Sequence, residues 1–177
     1  MVKQNDAEYW QLGPVEGIPT LLQPVAHALL QARKEVMEIM AGFPDELLWK
    51  RPAGMASVAF HLQHLAGVLD RLFTYANGLP LNDEQLSYLK SEGKDSIRIL
   101  LTQQLVDHFS ATVAASLAQL ALTPDDTLTE KRGIGRKQIP TTVLGLLFHA
   151  AEHTQRHVGQ LLVTAAVVKQ QAATLPG

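Results

Sequence analysis

Four segments of this chain repeat apolar residues at steps of three and four, a period that admits little besides helices packed against one another. In the first, Leu22, Val25, Leu29, Ala32, Val36, Ile39 and Met40 form the stripe, and Gly42 and Pro44 end it. In the second, Val58, Leu62, Leu65, Leu69, Leu72 and Ala76 follow Ser57, whose hydroxyl suits an N-cap. Asn77-Gly78-Leu79-Pro80 stops that helix. The third carries Ile97, Leu101, Leu105, Phe109, Val113, Leu117 and Leu120, with Asp95 or Ser96 as its cap and Pro124 just beyond. The fourth opens at Thr141 or Thr142, runs toward Gln170, and carries Val143, Leu146, Leu147, Ala150, Leu161, Ala165 and Val168. No segment alternates convincingly as a strand. The expected fold is an all-α four-helix bundle.

The joins refine this picture. Residues 1–18, with Gly13, Pro14 and Gly17, read as an extended lead-in. The connection between helices 2 and 3 is long and holds a short helix over Asn82–Leu89, bounded by Gly93, so a plain up-and-down bundle is not required. Thr127 to Gln138, with Gly133 and Gly135, reads as a loop with room for a short hairpin. Its basic residues Lys131, Arg132, Arg136 and Lys137 are most simply solvated, or else draw an anionic substrate to a nearby pocket.

Length and composition exclude several classes. A chain of 177 residues suits one domain, spanning 1–177, and buries enough apolar surface to fold without a staple. Cysteine is absent, which removes disulfides, thiolate ligands and a cysteine nucleophile together. The net charge of −2 is spread along the chain, whereas a nucleic-acid footprint would be a basic stripe. No apolar run reaches the roughly 18 residues of a transmembrane helix, so no membrane contact is expected. Met1 to Gln11 carries Lys3, Asp6 and Glu8 without an apolar h-region and does not read as a signal peptide. With no cysteine to suggest an oxidising compartment, the expected location is cytoplasmic.

Histidine is the residue type that points to chemistry. Five of the seven fall in two clusters, His61/His64 and His149/His153/His157, while His27 and His108 stand apart and read as surface or ordinary core residues. Positions four apart on a helix lie about 40° apart around its axis, so His153 and His157 share one face. That face continues the apolar stripe between Ala150 and Leu161. A buried imidazole costs free energy unless its nitrogens find partners. A hydrogen bond is one partner; a metal ion, for which imidazole is the commonest ligand, is another. No glutamate stands three residues before His64, His153 or His157, which argues against a carboxylate-bridged di-iron centre. Glu152 neighbours His153 but points about 100° away around the helix, toward solvent or a loop. Asp70 and Arg71 suit pairing locally or with another helix, and Gly159 reads as permitting close helix packing.

Two segments carry a family resemblance. Ser57-Val-Ala-Phe-His-Leu-Gln-His-Leu-Ala-Gly-Val-Leu-Asp-Arg-Leu72 resembles the second-helix motif of the DinB/YfiT-like superfamily. Phe148-His-Ala-Ala-Glu-His-Thr-Gln-Arg-His-Val-Gly-Gln160 resembles its last-helix motif, His-x-x-x-His-x-Gly-Gln. The resemblance implies a four-helix bundle with a three-histidine metal site, one ligand on helix 2 and two on helix 4. By motif position these are His64, His153 and His157. The apolar stripe alone would choose His61 over His64, because His61 lies nearer its centre; His61 is therefore the alternative ligand or an outer-sphere group. His149, one turn before His153, is read as an outer-sphere group or pocket wall.

Three protein ligands leave a tetrahedral metal one open position. The expected ion is divalent, zinc or nickel in the first place, although imidazole donors alone do not select a metal. An open position binds water or a thiol and lowers its pKa. The resemblance extends to thiol-dependent isomerases and transferases that use low-molecular-weight thiols. One expectation is thus a metal-dependent thiol S-transferase or isomerase, or a small hydrolase. The alternative is a non-catalytic metal-binding stress-type or partner-binding helical protein. The resemblance also implies a homodimer.

Overall fold

A computed structural model describes residues 7–95 and 101–174. Its frame is four long helices: α1 (Gln23–Met40), α2 (Val58–Ala76), α4 (Thr102–Ala121) and α5 (Val143–Thr174). A short helix, α3 (Asp83–Ser91), lies in the connection between α2 and α4, and a small antiparallel hairpin, β1 (Lys131–Ile134) with β2 (Ile139–Thr142), precedes α5. The architecture is thus the expected all-α bundle with one hairpin added.

The stripes explain how the helices associate. Val25, Leu29, Ala32 and Val36 of α1, Leu62, Leu65 and Leu69 of α2, Phe109 and Val113 of α4, and Leu146, Leu147 and Leu161 of α5 are buried in one continuous core. The helices neighbour one another in the order α1, α5, α2, α4 around the bundle, so α1 and α2 stand diagonally and α2 lies against α5. That neighbourhood places the two histidine clusters side by side.

Helix ends follow local chemistry in most places. Ser57 Oγ accepts from the Phe60 amide at 3.2 Å, as its position before the second stripe implies. Asn82 and Gln85 form a reciprocal capping box at α3. Thr142 Oγ1 accepts from the Gly145 amide at 3.0 Å, so the last strand residue also opens α5. The start of α4 differs from expectation. The described helix begins at Thr102, and Asp95 is not helical; Ser96 and Ile97 lie outside the described residues. Its first-turn amide is held from outside, with the Thr102 N–H donating to Asp45 Oδ1 at 2.7 Å. A residue 57 positions earlier therefore does the work expected of a neighbouring one, because α4 starts where the turn after α1 passes.

Gly159 also departs from its reading. A Cβ there would meet nothing within 4 Å, so no packing among the described residues requires glycine at that position.

Candidate metal centre

The site lies between α2 and α5. His64, on α2, and His153 and His157, on α5, each offer a ring nitrogen, and these nitrogens all lie within 4.8 Å of one another. The i,i+4 spacing on α5 aims the last two rings together, with centroids 4.6 Å apart. The packing of α2 on α5 supplies the third, whose ring centroid is 4.4 Å from that of His157. All three are partly buried.

Partners distinguish the two nitrogens of His64. Its Nδ1 lies 2.7 Å from Glu92 Oε2, and a carboxylate can only accept, so this nitrogen donates its proton. Its Nε2 faces His153 Nε2 at 3.0 Å. Phe60 stacks on the ring at 5.3 Å between centroids and 12° between planes. The other oxygen of Glu92 is ion-paired with Arg71 Nη1 at 2.5 Å. Arg71 thus pairs beyond its own helix, while Asp70 accepts from Gln85.

His61 is buried, 4% exposed, as its central place in the stripe requires. It is not one of the three clustered nitrogens. Its Nδ1 instead lies 3.2 Å from His157 Nδ1. His149 is on the outer face of α5, where its Nδ1 donates to Glu152 Oε1 at 2.6 Å. Glu152 also accepts from Arg156 through both oxygens at 2.9 and 2.7 Å. Arg156 first, and His149 second, hold the Glu152 carboxyl below its usual range. His149, Glu152 and His153 form a second group within 4.8 Å, all from one helix and more exposed than the first. His27 meets the Gly13 carbonyl at 2.9 Å and ties the lead-in to α1; His108 sits beside the Tyr88 hydroxyl at 3.4 Å. Neither joins the site.

The electrostatics favour neutral imidazoles. Burial, reinforced by the charge of His64, lowers the pKa of His61 and of His153, and takes that of His157 down to about 3. At neutral pH these rings keep lone pairs, which metal binding requires. The donor set also fits a metal. Two nitrogens held by one tetrahedral ion at about 2.0–2.1 Å stand roughly 3.3 Å apart, close to the 3.0 Å between His64 and His153. His153 Nδ1 is buried with no hydrogen-bond partner among the described residues. That nitrogen is the one turned away from His64, so an ion held at Nε2 would leave it unpaired, and the fit of the donor set rests on the spacing of the clustered nitrogens.

A cavity of about 290 Å³ opens beside the site, lined by Arg51, Ala56, Ser57, Phe60, Glu92 and Gly93. A larger one of about 650 Å³ is lined by Tyr75, Leu86, Lys131, Arg132 and Arg136 at the hairpin. Tyr75 lies about 16 Å along the α2 axis from His64 at 1.5 Å per residue, so the basic run does not border the histidines.

Residues 28–161 match the family model described as the DinB superfamily. The chain belongs to the DinB superfamily. The matched region contains α2, the α3 connection and all three clustered histidines on α2 and α5. No curated protein matches the chain at a significant level. Within this DinB-superfamily chain, histidine spacing pointed to His153 and His157, and the family motif to His64. Glu92 carries no such signal: it lies 28 residues from His64, in no periodic segment, and only the path of the chain after α3 brings it there.

Proposed function

We propose that this DinB-superfamily protein binds one divalent metal, zinc or nickel, through His64, His153 and His157, and presents an open coordination position to a small molecule. The observation that carries the reading is the convergence of three imidazole nitrogens from two helices within 4.8 Å. The bound ion would act as a Lewis acid on water or on a thiol supplied from outside, since the chain has no cysteine. The chain's own residues set the rest. Glu92 holds His64, His61 backs His157, and Phe60 shields one face of the His64 ring. Arg51 and Ser57, in the adjoining cavity, offer a cation and a hydroxyl to an incoming group. The reading is a thiol S-transferase or isomerase, or a small hydrolase; its cytoplasmic location and homodimeric state are part of the proposal and rest on the sequence and the family resemblance, not on this site. No helix among the described residues is long and apolar enough to cross a membrane.

A non-catalytic metal-binding role has one observation in its favour: the adjoining cavity is lined by Glu92 and Phe60 and not by the three imidazoles, and it is at the small end for a substrate pocket. One experiment addresses both readings. Protein purified without a histidine tag is analysed for metal, and the loaded form is screened with low-molecular-weight thiols paired with electrophiles. One equivalent of metal, lost in His153→Ala and His157→Ala, is the expected result. Undiminished binding in both variants would overturn the site. Metal binding with no turnover across the screen would favour the non-catalytic role.

A further inference from the structure

Glu92 and Gly67 have a geometry that the three-histidine set does not explain. Glu92 follows α3, outside any helix, yet its side chain is 5% exposed. One oxygen meets His64 Nδ1 and the other meets Arg71 Nη1. Its neighbour Gly93 donates its amide to Gln63 Oε1 at 2.8 Å, docking this stretch on α2. The stretch lies against Gly67 of α2. A Cβ at Gly67 would fall on the Glu92 carboxylate, 2.7 Å from Arg71 Nη1 and 2.8 Å from Tyr88 Cε1. Glycine in mid-helix is disfavoured relative to alanine, and here the missing side chain is the space the Glu92–Arg71 pair occupies.

We propose that Glu92 is the positioning residue of the metal centre, that Arg71 fixes it, and that Gly67 is the cradle that lets it reach His64. This deepens, and rests on, the proposal that His64, His153 and His157 bind a metal. The physical role is tautomer selection. Imidazole carries one proton on either nitrogen, and a carboxylate at Nδ1 keeps it there. Nε2 is then the only His64 nitrogen with a lone pair, and it is the one facing His153. The same hydrogen bond fixes the ring's rotation. Arg71 holds the second oxygen, so the carboxylate cannot swing into the metal's open position. The reading also accounts for a ligand at the edge of the apolar stripe: His64 is placed by a carboxylate from outside the helix, not by core packing.

The test uses the full chain and three variants. Glu92→Gln keeps the shape and removes the charge. Gly67→Ala leaves every polar group intact; its methyl strikes the flexible ends of Glu92 and Arg71 and the edge of the Tyr88 ring, so it displaces the Glu92–Arg71 pair and presses on α3. His153→Ala controls for the metal site itself. Zinc affinity is measured by competition with a chromophoric chelator, and the His64 tautomer by nitrogen-15 NMR of the metal-free protein. The expected results are Nδ1 protonation of His64 in the wild type, and a loss of roughly 10–100-fold in zinc affinity for both Glu92→Gln and Gly67→Ala. Gly67→Ala should do this while still unfolding cooperatively, at a lower melting temperature, since displacing a buried ion pair outweighs alanine's gain in helix propensity. Affinity within about threefold of wild type in both variants, well short of the usual outer-sphere loss, would overturn the proposal even with the metal site intact. So would a His64 proton on Nε2. If His153→Ala binds zinc like the wild type, the metal reading fails, and the metal-free tautomer still decides whether Glu92 sets His64.

Discussion

Truncating His61 and His64 separately to alanine separates the two helix 2 histidines. His64→Ala removes one of three nitrogens that converge within 4.8 Å. The two α5 rings remain, and two ligands from one helix leave the ion's other positions to water. His61→Ala removes only the group that meets His157 Nδ1 at 3.2 Å. Loss of such an outer partner costs roughly 10–100-fold in affinity, which is about 1.4–2.8 kcal/mol at 1.4 kcal/mol per tenfold. Loss of a ligand should exceed that range. His61→Ala should also lower stability more than His64→Ala, because His61 is 4% exposed in the core while His64 sits at its edge. The two variants are thus expected to reverse order between assays: His64→Ala worse in metal competition, His61→Ala worse in urea unfolding of metal-free protein. The reasoning is refuted if His61→Ala loses the metal while His64→Ala retains it.

Other consequences can be checked on the same protein. In metal-free protein, His157 has a folded pKa near 3 against 6.5 unfolded, so between those values the unfolded chain binds a proton that the folded chain refuses. Stability should be full above pH 6.5 and fall on acidification toward 3, and urea midpoints across that window should show a shallower fall for His157→Gln. Asp45→Ala should lower the urea midpoint by uncapping α4; because its pKa is lowered by the Thr102 hydrogen bond, the difference from wild type should persist above 3.8 and close as pH drops through the folded value. Gly159→Ala should raise thermal stability by up to about 1 kcal/mol through helix propensity, as nothing lies within 4 Å of the added methyl. A fall in calorimetric melting temperature would show that this glycine is required by something outside the described chain.

The sequence by itself determined whatever depends on positions a few residues apart. An α-helix advances about 100° per residue, so apolar stripes mark the four long helices and spacing alone puts His153 and His157 on one face. Ser57 and Asn82 declare their helices because a cap acts within a single turn. Only the tertiary structure decided the rest. Stripe position favours His61 and the family motif favours His64, so the residues near α2 disagree; His61 is the more buried, and the packing brings His64 to His153 and His157. Which ring does so depends on how α2 is rotated against α5, and that rotation is set by the sum of core contacts along both helices, not by any local pattern. Asp45 at the start of α4 and Glu92 behind His64 are more extreme cases. Each acts across tens of residues from a connection outside the long helices, whose path is fixed only when the bundle closes. A carboxylate in such a segment has no period to betray it, so its role is visible only once the chain has brought it to the nitrogen it holds.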